Sequence, residues 1–407
     1  MKILKSNTKG MQQIYDRNLF YRRQSTVEKV RRIIEDVRTN GDSAVLKYTR
    51  RFDGVKMQPK DLRVGEAEIT AAFQNISPDL IDAIKMVINN VSAFYRKQIK
   101  RPASIKSEEG ILLKEEYLPL DTVGVYIPAG TAPLVSSVYM TVVPAIVAGV
   151  RRIVIVTPPG KDGNVNPHIL AVASLLNVNE IYKIGGAQAV AAMAFGTKTL
   201  PRVDKIVGPG NAYVTEAKRQ LFGYVDIDML AGPTELVIVA NRHSDPDFVA
   251  ADLESQIEHA GGLSILISTS KQLIRQVRTR VQGGYAIYTK NMEEACEIAN
   301  RIAPEHLQIM TNNPKSVARM IRNAGAVFLG PYSPTPLGDY IAGPSHVLPT
   351  LGTARFSSGL SLGDFMKTSH IISYSRKALE KVREPLEKIA RIEGLVKHAE
   401  TVGVRFK

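Results

Sequence analysis

Short runs of Val, Ile and Leu, several of them stopped by Gly or Pro, recur along the chain: "DTVGVYIP", "RRIVIVTPP", "EIYKIGG", "VDKIVGPG", "ELVIVAN", "LSILIST", "YAIYT", "LQIMT" and "AGAVFLG". They are apolar throughout rather than alternating, which is what a parallel strand buried on both faces requires. Helix-patterned stretches separate them, as right-handed βαβ crossovers demand. The chain is therefore expected to be α/β with more than one sheet. At 407 residues and 44% hydrophobic content, it has too much apolar material for one ordinary core, so two or more domains are expected. No internal repeat or low-complexity segment interrupts the pattern.

Local signals mark some helix ends. Ser25 and Glu28 in "STVEKVRRIIEDVRTNG" read as a capping box, with Val27, Val30, Ile33, Ile34 and Val37 on one face and Gly41 as the stop. In "SDPDFVAADLESQIEHAGG", Ser244 reads as the cap, Pro246 lies in the first turn and Gly261–Gly262 closes the run. From about residue 361 the pattern turns helical and charged, as in "SRKALEKVREPLEKIARIEG".

Lys and Arg number 53 against 39 Asp and Glu, a formal net charge of +14. Such an excess suits nucleic acid, an anionic cofactor or simply a basic surface. Here the cations are scattered, Trp is absent and aromatics are 6%, so no base-stacking platform is visible and nucleic-acid binding is disfavoured. The lone Cys296 excludes an internal disulfide and fits a reducing compartment. It shares a helical face with Met292, Ala299 and Ile302, which reads as core. "MKILKSNTKGMQ" lacks a signal-peptide core, and "VYMTVVPAIVAGV" is too short to cross a bilayer and contains Pro144. A soluble, cytoplasmic protein without a membrane partner is expected.

Several polar residues sit where chemistry could use them. In "RIAPEHLQIM", Glu305 and His306 stand side by side between a proline and a strand. On a strand they would face opposite ways, but in a loop both can turn to one substrate. Gln256 and His259 are three apart on a helix, so they share a face that could meet a metal; exposed helix faces often carry the same pair. Asp339 and His346 lie in the Gly- and Pro-rich "PLGDYIAGPSHVLPT", which reads as an irregular loop. Glu393 and His398 fall in "RIEGLVKHAE", by itself an ordinary solvated helix end. "VGPGNAYVTEAKRQL" and "IGGAQAVAAMAFGT" are Gly-rich strand-to-helix turns of the kind that receives a phosphate, although Tyr213 stands where a dinucleotide fingerprint has its third glycine.

Taken together and in order, "YTRRFDGV", "VGVYIPAG", "GGAQAVAAMAFGT", "GPGNAYVTEAK", "AGPTELVIVAN", "SQIEHA", "APEHLQ", "GDYIAGPSHVLPT" and "EGLVKHA" make the chain resemble the histidinol dehydrogenase family over nearly its whole length. The resemblance implies oxidation of L-histidinol through the aldehyde to L-histidine, the end of histidine biosynthesis, with NAD and one zinc ion per subunit. It implies Gln256, His259, Asp339 and His398 as zinc ligands and Glu305 and His306 as the catalytic pair. Thr234 and Glu393 would touch substrate, as would His306 and the zinc ligands. Tyr126, Gln188 and Asn211 would contact NAD.

The implied fold is two related, incomplete Rossmann-like domains, one inserted in the other, with helical terminal arms. An N-terminal arm over 1–20 would precede a discontinuous domain over 21–125 and 236–360. An NAD-binding domain over 126–235 would be inserted in it, and a tail over 361–407 would make a homodimer with shared active sites. Two positions depart from the family pattern: Ala129 stands where Gly is usual, and Ile146 where Lys is common. Neither carries one of these roles.

These residues suit such a reaction. A zinc held by imidazoles, an amide and a carboxylate can fix a substrate amine and imidazole. His306, with a reference pKa near neutrality, suits the alcohol proton, and Glu305 suits the water that hydrates the aldehyde. Cys296 is poorly placed for a thiolate route. Two rivals remain at this point: a related zinc- and NAD-dependent dehydrogenase of another polyol, such as a sulfonated propanediol, and a basic nucleic-acid-binding protein without activity.

Overall fold

The computed structural model describes residues 1–5, 9–17, 23–129, 133–258 and 261–406. In chain order its strands are β1 (Lys2–Leu4), β2 (Ser104–Lys106), β3 (Ile111–Pro119), β4 (Thr122–Tyr126), β5 (Arg152–Thr157), β6 (Ile181–Lys183) and β7 (Lys205–Val207). They continue with β8 (Asp226–Ile227), β9 (Glu235–Ala240), β10 (Leu263–Ser268), β11 (Tyr285–Tyr288), β12 (His306–Met310), β13 (Ala326–Leu329) and β14 (Met366–Tyr374). Each run read as a strand from its composition is a strand. The chain divides into two compact units, 1–98 with 120–365, and 99–119 with 366–407.

The larger unit is mixed α/β and holds two parallel sheets, in the order β6-β5-β4-β7-β8 and β1-β11-β10-β9-β12-β13. Apart from the edge strand β1, the chain in each starts near the middle, builds outward on one side and then switches to the other. That switch falls between β4 and β7 in one sheet and between β9 and β12 in the other. β9 is buried at every position, as a central parallel strand must be. Helix Gln24–Asn40 buries Val30, Ile33, Ile34 and Val37 against helices Gly186–Phe195 and Ala212–Leu221. Each such side chain contributes roughly 1.5–3 kcal/mol of burial. Helix Met292–Ile302 buries Cys296 in the other core, beside Ala299 and Ile302.

Some local expectations fail. Helix Gln24–Asn40 is entered at Arg23, whose carbonyl accepts from Thr26 and Val27, so Ser25 lies inside the first turn and caps nothing. Asp245, not Ser244, caps helix Pro246–Ile257, because the Ser244 hydroxyl is engaged by the Met310 carbonyl. Asp339 sits in a short helix, Thr335–Tyr340, rather than an irregular loop. The N-terminal segment is not purely helical, since β1 adds an edge strand beside β11.

The smaller unit is an antiparallel sheet, β14-β3-β2, followed by helices Arg376–Ile392 and Val396–Gly403. The tail thus opens on a nine-residue strand, not a helix. Its partner, β3, lies far back in the chain, and a local pattern cannot report a pairing at that separation. No helix of the described residues is long and apolar enough to cross a membrane.

Candidate active site

Helix Met292–Ile302 stops at Ala303, in a left-handed conformation (φ 48°), and the chain reaches Pro304 and Glu305 before β12 begins at His306. In register His306 lies between Leu236 of β9 and Ala326 of β13, at the N-terminal edge of the sheet and over its switch point. Glu305 precedes the strand, so alternation does not separate the two side chains. Both turn to the same backbone unit. The Glu235 N–H donates to Glu305 Oε2 at 2.9 Å, and the Glu235 carbonyl lies 3.2 Å from His306 Nδ1. That carbonyl can only accept, so it holds the proton on Nδ1 and leaves Nε2 as the basic atom of the neutral ring. Nε2 points at Asp339, 3.3 Å from Oδ1, and Nδ1 is 3.5 Å from Glu305 Oε2.

Both members of the pair are buried, and burial and their neighbours together set their acidity. Burial pushes the Glu305 carboxyl up to about 7, against the pull of His306, the Thr234 hydroxyl and the Glu235 N–H. Burial pulls His306 down, but the Glu305 carboxylate, then Asp339 and the Glu235 carbonyl, outweigh it and leave the ring at about 9. His346, weighed in the sequence without a role, belongs to the same cluster. Its Nδ1 is 3.0 Å from the Asp339 carbonyl and its Nε2 3.4 Å from Ser137 Oγ, and burial lowers its pKa.

Helix Pro246–Ile257 connects parallel strands β9 and β10, so its C-terminal end returns to this same edge and brings Gln256 with it. Gln256 is buried and its amide nitrogen has no partner. A buried amide with an unmet atom fits a ligand at that place. His259 lies outside the described residues. Among the described residues no group of three His, Cys, Asp or Glu side chains could hold a metal. Gln256 and Asp339 supply an amide and a carboxylate at one edge, a donor set that suits a zinc completed by imidazoles. Glu393 and His398 belong to the smaller unit, where Glu393 ends helix Arg376–Ile392 and His398 is exposed on the last helix.

The other sheet presents its opposite, C-terminal edge. Tyr126 ends β4, Gly185–Gln188 follow β6, and Gly208–Asn211 follow β7. The Tyr126 hydroxyl accepts from the Gly186 N–H at 3.0 Å, and burial pushes that phenol up to about 12. Gln188 is buried with both amide atoms unpartnered, which fits a polar ligand. Asn211 caps helix Ala212–Leu221 by accepting from Tyr213 and Val214. Gly208 has φ +111°, and a Cβ there would lie 2.2 Å from the Tyr126 carbonyl oxygen. Its N–H donates to Asp228 Oδ2 at 2.7 Å and its carbonyl accepts from Lys218 Nζ at 2.9 Å, while Lys218 and Asp228 form a buried ion pair. Two helix N-termini and a glycine turn thus meet at the switch point of this sheet.

A family profile described as "Histidinol dehydrogenase" matches residues 20–406. The chain belongs to the histidinol dehydrogenase family. It is 48% identical over 400 residues to the histidinol dehydrogenase of Clostridium acetobutylicum, covering 94% of this chain and 92% of that one. It is 45% identical to that of Heliobacterium mobile, covering 93% of both. The crystal structure of histidinol dehydrogenase from Elizabethkingia anophelis superposes with a TM-score of 0.93 at 37% identity, over 100% of this chain and 98% of the other. The protein is thus an enzyme of an oxidoreductase family, and neither rival reading finds support among these relatives. Arg17, Glu235 and the Lys218–Asp228 pair escaped the sequence reading. The available signal was the acid heading "ELVIVA", since a carboxylate at the start of a fully buried strand needs a cation.

Proposed function

We propose that the protein oxidises L-histidinol through L-histidinaldehyde to L-histidine, in the cytoplasm, as the last step of histidine biosynthesis. The observation that carries this reading is the Glu305–His306 pair, two buried bases held on one backbone unit. Oxidising one carbon twice needs two proton acceptors in one place. His306 Nε2 takes the alcohol proton in the first oxidation. Glu305 takes a proton from the water that adds to the aldehyde, and His306 acts again as the hydrate is oxidised. Cys296 is no rival for the aldehyde step: its thiol is buried and pushed up to about 11.

NAD, when bound, accepts the hydride of each oxidation; Tyr126, Gln188 and Asn211 would hold it. Zinc, when bound to Gln256, His259, Asp339 and His398, fixes the substrate's amine and imidazole. Thr234 and Glu393 complete the substrate site. On this reading there are two related Rossmann-like domains, one over 126–235 inserted between 21–125 and 236–360, with 1–20 and 361–407 as arms; the five-stranded sheet extends beyond the inserted bounds, since its central strand β4 begins at Thr122.

The tail also points to a homodimer with shared sites. Its unit leaves Ile372 71%, Ile389 58% and Ile392 77% exposed, apolar surface of the kind that a partner covers. His398 and Glu393 then enter the partner's site. Mixed dimers of His306→Asn and His398→Ala carry one site with both lesions and one with neither, so random pairing should restore roughly a quarter of wild-type activity. No recovery in verified mixed dimers would exclude sharing.

The deciding experiment follows NADH formation from L-histidinol before chelation, after it, and after zinc add-back. Activity should vanish and return while circular dichroism stays constant, because the metal sits on a preformed core. Full turnover by verified metal-free enzyme, or none with histidinol in the zinc-loaded enzyme, sinks the reading.

A further inference from the structure

We propose that Arg17 and Glu235 act together as positioning residues that set the geometry of the catalytic pair. The inference rests on the assignment of Glu305 and His306 as the bases. Glu235 opens β9, and its backbone N–H and carbonyl hold Glu305 and His306 respectively. The placement of both bases therefore depends on one peptide segment at a strand end, where fraying is easiest. Its side chain removes that freedom. The Glu235 carboxylate is 2% exposed and receives Arg17 in a two-pronged pair, Nε to Oε1 at 2.5 Å and Nη2 to Oε2 at 2.6 Å. Oε1 also accepts from the Leu351 N–H at 3.0 Å.

Arg17 reaches further. Its Nη2 donates to the Ile302 carbonyl at 2.9 Å and its Nη1 to the Ile14 carbonyl at 2.8 Å. Ile302 is the last residue of the helix that delivers Pro304 and Glu305. One guanidinium thus ties together the two chain segments that meet at the pair: the start of β9 and the approach to β12. The planar fork with its fixed donor directions is what the job needs, and an ammonium cannot reproduce it. Burying a carboxylate at the sheet edge only to stiffen it is costly. The return is a fixed Nδ1–H tautomer on His306 and a fixed carboxylate direction on Glu305. Neither Arg17 nor Glu235 has to touch substrate for this.

The test uses full-length, zinc-loaded enzyme and compares Arg17→Gln, Arg17→Lys, Arg17→Ala and Glu235→Gln with wild type. Single-turnover hydride transfer from histidinol is measured on the folded fraction, with KM for histidinol and NAD and melting temperature alongside. Arg17→Gln should lower the hydride-transfer rate about 10²-fold, the size of effect expected from a small misplacement of reacting groups. KM for NAD should stay within about twofold, because the cofactor site lies on the other sheet. Arg17→Lys should recover only part of the rate, and ethylguanidinium added to Arg17→Ala should recover more than methylammonium. Glu235→Gln keeps shape and one acceptor, so it should fold even if Arg17→Gln does not, with a milder loss.

A lower melting temperature with a wild-type hydride-transfer rate per folded enzyme, in Arg17→Gln or Glu235→Gln, overturns the proposal. His306→Asn, assayed on histidinol, and Glu305→Gln, assayed on supplied histidinaldehyde, run in parallel. If those two keep wild-type rates, the catalytic assignment itself falls; if they are dead while the Arg17 and Glu235 variants are not, only the positioning role falls.

Discussion

The two parallel sheets of the larger unit are built alike and, on the proposed reading, are used at opposite edges. The β4–β7 sheet offers its C-terminal edge, where helices Gly186–Phe195 and Ala212–Leu221 begin. The positive ends of helix dipoles gather there, which favours an anionic ligand. The β9–β12 sheet offers its N-terminal edge, where helices Pro246–Ile257 and Met292–Ile302 end. Carbonyls and the negative ends of helix dipoles gather there, which favours a metal and a cationic amine. So the two edges supply opposite fields for the two kinds of ligand, whatever the net charge of the chain. Each edge is braced by a buried ion pair that grips backbone: Lys218–Asp228 on Gly208, and Arg17–Glu235 beside Glu305 and His306.

If the edges are functionally distinct, lesions at each should have different kinetic signatures. The largest effect belongs to the catalytic edge. His306→Asn should cut turnover about 10³-fold in both oxidations, whereas Glu305→Gln should do so mainly for supplied histidinaldehyde and spare the first hydride transfer. Equal, small effects of either change on both half-reactions would break the assignment.

Next comes Gly208→Ala at the cofactor edge. Its Cβ would meet the Tyr126 carbonyl at 2.2 Å, and φ +111° is unfavourable for alanine. KM for NAD should rise about tenfold or more, with calorimetric histidinol binding to the zinc enzyme unchanged. Loss of both together would mean that the edges are not separable.

A pH profile sharpens the contrast further. Glu305 acts as a base only when ionised, and its carboxyl lies at about 7. Aldehyde oxidation should therefore show a limb near 7 from Glu305, on top of the loss of neutral His306 below about 9, with the rate falling by up to a further tenfold per unit below 7. NAD affinity should show no matching change. The limb should disappear in Glu305→Gln.

The smallest effect is expected at Cys296, which touches neither edge. Cys296→Ala should leave turnover of both half-reactions unchanged and cost about 1 kcal/mol or slightly more in denaturant titration. A loss of aldehyde oxidation would revive a thiolate route.

Much of this is legible in the sequence. "ELVIVAN" and "LSILIST" are strands because runs so uniformly apolar can only be buried on both faces. Gly208 marks a tight turn because its conformation excludes a side chain. "PEH" alone says little, since polar residues at a strand entry are ordinarily solvated; it gains weight only within the ordered set of motifs. Capping was less legible. Ser25 and Ser244 have the right chemistry, but the helix entry at Arg23 and the Met310 carbonyl decided otherwise.

By itself the sequence determined the α/β class, the strands, the two glycine turns and the residues able to act as bases, because each depends on local period, volume or protonation chemistry. Tertiary structure decided what those residues do to one another. β14 pairs with β3 across most of the chain, and Arg17 finds Glu235 in a different segment. Asp339 and His346 arrive beside His306 from a third segment. Partnerships of that kind depend on which chain segments are folded together, and they set the burial that lifts Glu305 to about 7. Nothing in the spacing of residues along the chain encodes that burial, because it is a property of how much water the surrounding segments exclude.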